Sequence, residues 1–429
     1  MKILMLGWEY PPVISGGLGI ASQGLAKALA KDNHRVTFLM PKNTGKETKD
    51  GVTILDASKI IADPTLWTDS VLTEEKLSFM EIGSRLVPYI GQEIFIKERE
   101  KTITIKTDTI DPAFELLSSI NLQGGYGDNL LQEVDKYAII ATQIAKKHAY
   151  DIVHCHDWMT FEAGKMIRQM TDIPVIFHFH STEIERNGSF AHPEIIAREK
   201  SVQSIKDSSI AAVSNTTKKI LTESYGFPSK NISVVPNGYE RLAAPKTPEP
   251  SSVKKVGFVG RFVHQKDPLK FLDIARQICS KRSDVSFEMV GDGHLMEAIR
   301  EQITGSNLEG KVMLKGFVSH EEAIASIRDF DILVVPSRSE PFGLVPLEGV
   351  SMGIPVLVSQ GCGITEFIPS MQALAHWDAY NWVNELETLL DDELKAKTYV
   401  DSCTEEIKKL TWHSSAKLMS KLYAKMQKL

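Results

Sequence analysis

Short apolar runs alternate with amphipathic helical stretches along most of the chain, and this alternation constrains the fold more than any other feature. It occurs in two blocks, which are separated by a segment containing Pro245, Pro248 and Pro250. Repeated pairs of an apolar strand and an amphipathic helix are typical of a parallel sheet with helices on both faces. The sequence therefore predicts an α/β protein with two doubly wound domains joined by a proline-containing linker.

The strands of the first block are predicted at Lys2–Gly7, Arg35–Met40, Asp151–His156, Pro174–Phe179, Ser209–Val213 and Ile232–Val235. Those of the second block are predicted at Lys255–Gly260, Val285–Val290, Val312–Lys315, Ile332–Val335, Pro355–Val358 and Gln372–Leu374. Lys42–Gln123 does not follow the alternation, and we expect an insertion with β-structure of its own there. Trp412–Leu429 has apolar residues at helical spacing, which predicts a final helix that packs on another surface.

The composition excludes several classes of protein. The 429 residues include 49 Lys and Arg against 55 Asp and Glu, a net charge of -6. Such a chain is a poor candidate for nucleic-acid binding, which depends on the neutralisation of phosphates. No apolar run reaches the roughly 18 residues of a membrane span, and four cysteines give no disulfide framework. We therefore expect a cytoplasmic enzyme, while peripheral membrane contact stays an open alternative that the sequence does not indicate.

A glycine-rich segment, Gly16-Gly17-Leu18-Gly19, follows the first strand and opens a helix. Glycines let a ligand approach the backbone closely, and the free N–H groups of a helix start attract phosphate. The glycines lie about ten residues past Gly7 and do not have the spacing of a nicotinamide dinucleotide site. The segment predicts a phosphate site, with a tightly packed helix entry as the alternative.

Histidines end two successive strands of the first block. His154, Cys155, His156 and Asp157 have the residue types of metal ligands, but neighbouring residues on a strand point to opposite faces. No second Cys/His pair supplies zinc spacing, so we predict no metal. The carboxyl ends of parallel strands are where open α/β sheets bind ligands, which favours a site that includes Asp157 and His180. A structural, hydrogen-bonded histidine is the alternative for at least one of His154 and His156, and also for His180.

The second block carries charged residues suited to a sugar nucleotide. Arg261 and Lys266 follow its first strand, and two cations on one loop suit a pyrophosphate. Glu340 and Glu348 are eight residues apart, with the amides of Phe342, Gly343 and Leu344 between them. Carboxylates accept hydrogen bonds from vicinal hydroxyls, so the pair suits a sugar and a ribose. The alternatives are a solvated basic turn, a helix-dipole partner and a surface glutamate.

Together these segments resemble the retaining, nucleotide-sugar-dependent glycosyltransferases of family 4 and their glycogen and starch synthase relatives, which have the GT-B fold. The resemblance covers the chain apart from roughly residues 42–123. It rests on Glu9-Tyr10-Pro11-Pro12, Gly16-Gly17-Leu18-Gly19, His154-Cys155-His156-Asp157-Trp158, His180, Pro236-Asn237-Gly238, Gly260-Arg261 with Lys266, Gly291-Asp292-Gly293, Gly316-Phe317, Glu340 with Glu348, and Gly353-Ile354-Pro355.

The resemblance implies two Rossmann-like domains that face a central cleft. Residues 1–241 with 411–429 would form the acceptor side, residues 254–410 would bind the nucleotide sugar, and the final helix would cross back to the first domain. The implied donor-binding residues are Gly16, Gly17, Leu18, Gly19, Arg261, Lys266, Phe342, Gly343, Leu344 and Glu348. The implied catalytic residues are Glu340 and His180 near the transferred sugar, Arg261 and Lys266 on the diphosphate, and Asp157 on the acceptor side.

The resemblance also implies the chemistry. A hexose, glucose in the leading case, would pass from a nucleoside-diphosphate sugar to a carbohydrate acceptor, with a growing α-glucan as the leading candidate. Because Arg261 and Lys266 can stabilise the leaving charge, no metal and no cofactor is expected. Bacterial glycogen and starch synthases that use ADP-glucose carry Lys two residues before the glycine pair, where this chain has Ile14. The base of the donor therefore stays open, as does another glycan, lipid or small-molecule acceptor.

The sequence leaves open three alternatives from other classes of protein. An NAD(P)-linked oxidoreductase is disfavoured by the glycine spacing and by the lack of an acidic residue after Met40. A non-catalytic sugar-nucleotide binding protein would not need Glu340, Arg261 and Lys266 together. A sugar-nucleotide epimerase of the same fold would not need the final helix or an acceptor surface.

Overall fold

The computed structural model describes residues 1–12, 16–43, 48–61, 122, 124, 129–239 and 253–427. The chain forms two compact units. Unit 1 comprises Met1–His178, Ser201–Ser209 and Tyr423–Leu429, and unit 2 comprises Phe179–Lys200 and Ile210–Leu422. The expected linker prolines and most of the expected insertion lie outside the described residues.

The larger sheet has eight described strands in the spatial order β3-β4-β2-β1-β5-β6-β7-β8. They are β1 Lys2–Leu6, β2 Arg35–Met40, β3 Thr48–Lys49, β4 Val52–Asp56, β5 Ile152–His156, β6 Val175–Phe179, β7 Ser208–Ala212 and β8 Ile232–Val234. From β4 through β2, β1 and β5 to β6, neighbouring strands pair in parallel, whereas β3 pairs antiparallel with β4. The near-continuous apolar strands are those expected when helices cover both faces.

The smaller sheet has six strands among the described residues, in the order β11-β10-β9-β12-β13-β14, and all of them pair in parallel. They are β9 Lys254–Val259, β10 Val285–Val290, β11 Val312–Gly316, β12 Ile332–Val335, β13 Val356–Ser359 and β14 Ala373–Leu374. The strand order reverses between β9 and β12. In open α/β sheets, ligands bind beyond the carboxyl ends of the strands at such a reversal.

The described α-helices are α1 Gly17–Lys31, α2 Ala57–Ile61, α3 Leu130–Lys147, α4 Trp158–Met170, α5 Glu183–Asn187, α6 Pro193–Ser201, α7 Asn215–Glu223, α8 Pro268–Cys279, α9 Met296–Ile303, α10 His320–Asp329, α11 Leu344–Ser351, α12 Ala379–Asp391, α13 Glu393–Ile407 and α14 Trp412–Met426. None of them combines the length and the hydropathy that a bilayer crossing requires.

The last helix ends among residues of unit 1. The Tyr423 hydroxyl lies 2.7 Å from Nδ1 of His154, and the Gln427 side-chain amide donates to the Asp151 carbonyl at 2.5 Å. Its buried side chains include Met419, Leu422 and Met426, whereas Leu418 is exposed. The predicted returning helix is therefore confirmed, with Leu418 excluded from its packed face.

Two expectations about secondary structure need correction. Val52–Asp56 pairs in parallel with β2 and so belongs to the main sheet, although the insertion was expected to begin at Lys42. Glu393–Ile407 is a helix that the sequence analysis did not predict, because only Val400, Cys403 and Ile407 in it are buried. The domain boundaries themselves stay a prediction.

Gly257 in β9 is a sensitive position in the core of unit 2. A Cβ atom at this residue would lie 2.0 Å from the ring of Phe330, which is fully buried. We expect Gly257→Ala to lower the free energy of unfolding by about 1–3 kcal/mol, because the ring cannot move without repacking. Urea unfolding measures this loss, and it should shrink in a Phe330→Leu background. An equal loss in both backgrounds would contradict the steric explanation.

Candidate active site

Two loops meet at the strand reversal of the smaller sheet. The loop after β9 carries Arg261 and Lys266, and the loop after β12 carries Glu340. The Lys266 ammonium forms an ion pair with the Glu340 carboxylate, and the two side chains are only 20% and 12% exposed. Ser337 donates a further hydrogen bond to Oε2 of Glu340 at 3.4 Å. The structure thus brings together two predicted catalytic residues that are 74 positions apart in sequence.

The N-terminus of α11 lies directly after this carboxylate. Gly343 precedes the helix with φ of 111°, and a Cβ atom there would lie 2.8 Å from Sγ of Cys362. Only glycine therefore suits both the backbone conformation and the available space. The first turn of the helix has no acidic side chain. Its N–H groups, which the prediction assigned to Phe342, Gly343 and Leu344, can attract an anion.

Glu348 lies within the same helix and has a different environment from Glu340. Its Oε1 atom is 3.7 Å from Nε2 of His320, and its side chain is 13% exposed. Burial raises the pKa of the Glu348 carboxyl to about 8. Glu348 is therefore mostly protonated near neutral pH, so it can donate as well as accept a hydrogen bond. The sequence predicted two carboxylates, but the raised pKa makes Glu348 a neutral carboxylic acid near neutral pH.

The raised pKa of Glu348 predicts a pH-dependent difference between the protein and a Glu348→Gln variant. Between the ordinary pKa of 4.5 and the folded value of about 8, the unfolded chain ionises while the folded chain stays protonated. The unfolding free energy of the unmodified protein should then fall relative to the variant by up to roughly 1.4 kcal/mol per pH unit. Urea unfolding of both proteins at pH 5, 6.5 and 8 measures this. Parallel pH profiles would show that the carboxyl is not perturbed.

His180 follows β6, in the loop that the sequence analysis predicted. It keeps some contact with solvent, but it lies deep enough among protein atoms that burial lowers its pKa to about 3. The imidazole is therefore neutral near pH 7. It can exchange hydrogen bonds with a sugar hydroxyl, but it does not provide a standing positive charge.

A buried polar network fixes the chain after His180. The Glu199 carboxylate accepts hydrogen bonds from the Glu183 backbone N–H at 2.9 Å, from Arg186 at 3.0 Å and from the Tyr225 hydroxyl at 2.5 Å. Burial raises the pKa of Glu199, although the Arg186 guanidinium opposes the rise. Thr182 and Glu185 add a capping box at the start of α5. These bonds tie the segment after His180 to α6.

The predicted residues of unit 1 lie at the starts of two helices. Gly16 and Gly17 are exposed at the N-terminus of α1, whose first turn contains no acidic side chain. Asp157 is buried and has a positive φ of 58° just before α4. Ile14 lies outside the described residues. Gly16, Gly17, Leu18, Gly19 and Asp157 belong to unit 1, whereas His180 and the predicted residues from Arg261 to Glu348 belong to unit 2.

Three buried histidines, His154, His156 and His178, form a cluster whose ring nitrogens lie within 4.8 Å of one another. The rings of His154 and His156 are stacked, with centroids 4.3 Å apart and planes only 21° apart. A metal binds an imidazole nitrogen at about 2.0–2.1 Å in the plane of the ring. One ion cannot lie in the planes of two rings that stack face to face, so this arrangement does not favour a metal site. That the site needs no metal stays a prediction.

Sequence reasoning missed a set of side chains beside Lys266. Asp267 accepts hydrogen bonds from Arg338 and His376, both at 2.8 Å. The available signal was the Asp267-Pro268 pair, because Asp before Pro is typical of a helix start. Nothing in the sequence indicated that residues 71 and 109 positions away would bind the same carboxylate.

The chain matches two family models. A model described as the starch synthase catalytic domain matches residues 2–227, and one described as glycosyl transferases group 1 matches residues 241–408. An uncharacterized glycosyltransferase of Methanocaldococcus jannaschii is 25% identical, with 86% of this chain and 83% of the relative covered. A glycogen synthase of Mycobacterium tuberculosis is 22% identical, with 99% and 94% covered. The solved sucrose-phosphate synthase from Thermosynechococcus elongatus superposes with a TM-score of 0.72 at 18% identity, with 99% and 98% covered.

The fold and these matches define the class: the protein is a glycosyltransferase with the GT-B fold that acts on sugar nucleotides. The starch synthase model spans more than half of the 429 residues. The chain therefore belongs to the family of the starch synthase catalytic domain. The predicted fold is confirmed.

Proposed function

We propose that the protein is a retaining family 4 glycosyltransferase that moves a hexose, with glucose as the leading candidate, from a nucleoside-diphosphate sugar to a growing α-glucan. The observation that carries this proposal is the Lys266–Glu340 pair beside the open N-terminus of α11. A cation and free N–H groups suit a diphosphate, while a carboxylate suits the hydroxyls of a sugar.

The proposed reaction needs stabilisation of the leaving group more than it needs a side-chain base. As the bond between the sugar carbon and the phosphate oxygen breaks, its electron pair leaves with the nucleoside diphosphate. Lys266 and Arg261 stabilise that developing charge. The acceptor oxygen bonds to the same face of the sugar, and its proton passes to the departing phosphate oxygen. Glu340 and the neutral His180 hold sugar hydroxyls, and Asp157 is assigned to the acceptor.

An α-glucan is the favoured acceptor for two reasons. The family model matched over residues 2–227 is that of a starch synthase, and a relative matched over nearly the whole chain is a glycogen synthase. A small-molecule acceptor is the second candidate, because a sucrose-phosphate synthase has the same fold over the whole chain.

A panel of donors tests the proposal. The protein is incubated with ADP-, UDP- and GDP-glucose, with and without maltooligosaccharides, and release of the nucleoside diphosphate is followed. Release that depends on the glucan supports the proposal, and the same panel identifies the base. A parallel set contains monosaccharides and sugar phosphates in place of the glucan, and release only in that set would favour the second candidate. No release with any pair of donor and acceptor would contradict the transferase proposal.

Transfer should survive removal of divalent cations. Lys266 and Arg261 supply the positive charge that metal ions supply in other transferases, so EDTA should change the rate by less than about twofold. The measurement compares nucleotide release with EDTA and with added Mg²⁺. A loss with EDTA that Mg²⁺ restores would contradict the metal-free mechanism.

A further inference from the structure

One buried carboxylate in unit 2 joins three segments of the chain. Asp267 is 5% exposed, follows Lys266 directly, and has a left-handed backbone with φ of 48° and ψ of 60°. Its Oδ1 atom accepts the Lys270 N–H at 3.2 Å and so caps α8. Its Oδ2 atom accepts from Nε of Arg338 and from Nε2 of His376, both at 2.8 Å. A helix cap needs only one of these bonds.

The bonds to Arg338 tie the two catalytic loops together. The Arg338 backbone N–H donates to the Gln265 carbonyl at 2.9 Å, while its side chain binds Asp267. Arg338 is two residues before Glu340, and Gln265 and Asp267 are the neighbours of Lys266 on either side. The loop of Glu340 is therefore held against the loop of Lys266 at two points besides the Lys266–Glu340 ion pair.

The third partner adds a further anchor. His376 precedes α12, whose Trp382 is fully buried and donates from its indole N–H to the Ala375 carbonyl at 3.0 Å. His376 is thus fixed by a segment that belongs to the packed core. Asp267, held by this segment and by α8, gives Arg338 a rigid partner.

We propose that Asp267 is a positioning residue: through Arg338 it sets the relative placement of the Lys266 ammonium and the Glu340 carboxylate, and His376 holds it in place. This inference rests on the proposed role of the Lys266–Glu340 pair. In this proposal Asp267 acts through Arg338 and not by direct contact with substrate.

The Asp267→Asn variant separates positioning from capping. Asn tolerates the left-handed conformation and keeps the helix cap, but it lacks the charge that binds Arg338 and His376. Asp392→Asn is the matched control, because Asp392 also caps a helix through its carboxylate, with the Lys395 N–H at 2.8 Å, and no predicted site residue binds it. Arg338→Ala removes the other end of the tie, and its side chain is 61% exposed, so its loss should leave the fold intact.

The experiment measures binding of ADP, UDP and GDP by calorimetry, which needs no acceptor, together with thermal unfolding. We expect Asp267→Asn and Arg338→Ala each to raise the dissociation constant of the nucleotide that binds best by about tenfold. Small displacements of binding groups are costly, which is why the loss is this large. The double variant should lose little more than either single one, and Asp392→Asn should bind normally. Melting temperatures of Asp267→Asn and Asp392→Asn should be similar.

Independent losses that multiply to about a hundredfold in the double variant would overturn the proposal, as would normal binding by Asp267→Asn. If Asp267→Asn does not fold, Arg338→Ala and His376→Ala decide, since both bind the same oxygen atom and should again be non-additive. Nucleotide binding without transfer to any glucan would reject the proposed acceptor. It would not affect the test of Asp267, because that test measures nucleotide binding alone.

Discussion

Lys266→Ala should reduce donor kcat/KM by at least about a hundredfold while the protein stays folded. The variant loses the cation that we propose stabilises the leaving diphosphate, and loss of one such group typically costs 10²–10³-fold. It also leaves the Glu340 carboxylate without its ion-pair partner. Initial rates of nucleoside diphosphate release, measured over a range of donor concentrations, give the size of the loss.

Lys281→Ala is the matched control for this variant. Lys281 pairs with Glu387 at 3.0 Å, but its side chain is 54% exposed and it lies outside the predicted site. Exposed ion pairs contribute little to stability, so both kinetics and melting should be unchanged. Equal rates for Lys266→Ala and Lys281→Ala would remove Lys266 from the catalytic machinery.

Glu340→Gln should reduce kcat by about a hundredfold. Glutamine keeps the size of the side chain, but it cannot carry the charge that pairs with Lys266 and accepts from Ser337. Glu340→Ala removes the hydrogen-bonding oxygens as well and should be at least as damaging. Single-turnover rates at saturating donor separate this loss from weaker binding.

Two comparisons control the Glu340 experiment. Glu387→Gln, which alters the ion-pair partner of Lys281 outside the predicted site, should behave like the unmodified protein. The Lys266→Ala, Glu340→Gln double variant should be less impaired than the product of the two single losses, because the residues act as a pair. Full additivity would mean that the ion pair has no shared role in the reaction.

Much of the fold was predictable because its signal is local. Arg35–Met40, Val285–Val290 and Ile332–Val335 have the predicted bounds, since their runs of apolar residues define them. Helix α13 was missed because it buries only three side chains over four turns, which leaves a weak pattern. The strand Val52–Asp56 was missed because its place in the main sheet depends on pairing with β2 and not on its own sequence.

In the candidate site, too, local features were predictable from the sequence and contacts between distant residues were not. Lys266 and Glu340 were each identified from neighbouring residues, but their ion pair follows from the adjacency of β9 and β12, which only the sheet order provides. The roles of Arg338 and His376 depend on Asp267, at separations of 71 and 109 residues. The raised pKa of Glu348 results from its burial, and a glutamate eight residues after another gives no sign of it.

Elongation of a defined glucan tests the central claim most directly. Maltoheptaose is incubated with the protein and the donor that binds best, and the products are analysed by mass spectrometry and NMR spectroscopy. The proposed function predicts chains longer by successive hexose units, joined by α-linkages, in amounts equal to the nucleoside diphosphate released. Unchanged maltoheptaose despite nucleotide release, or products with β-linkages, would contradict it.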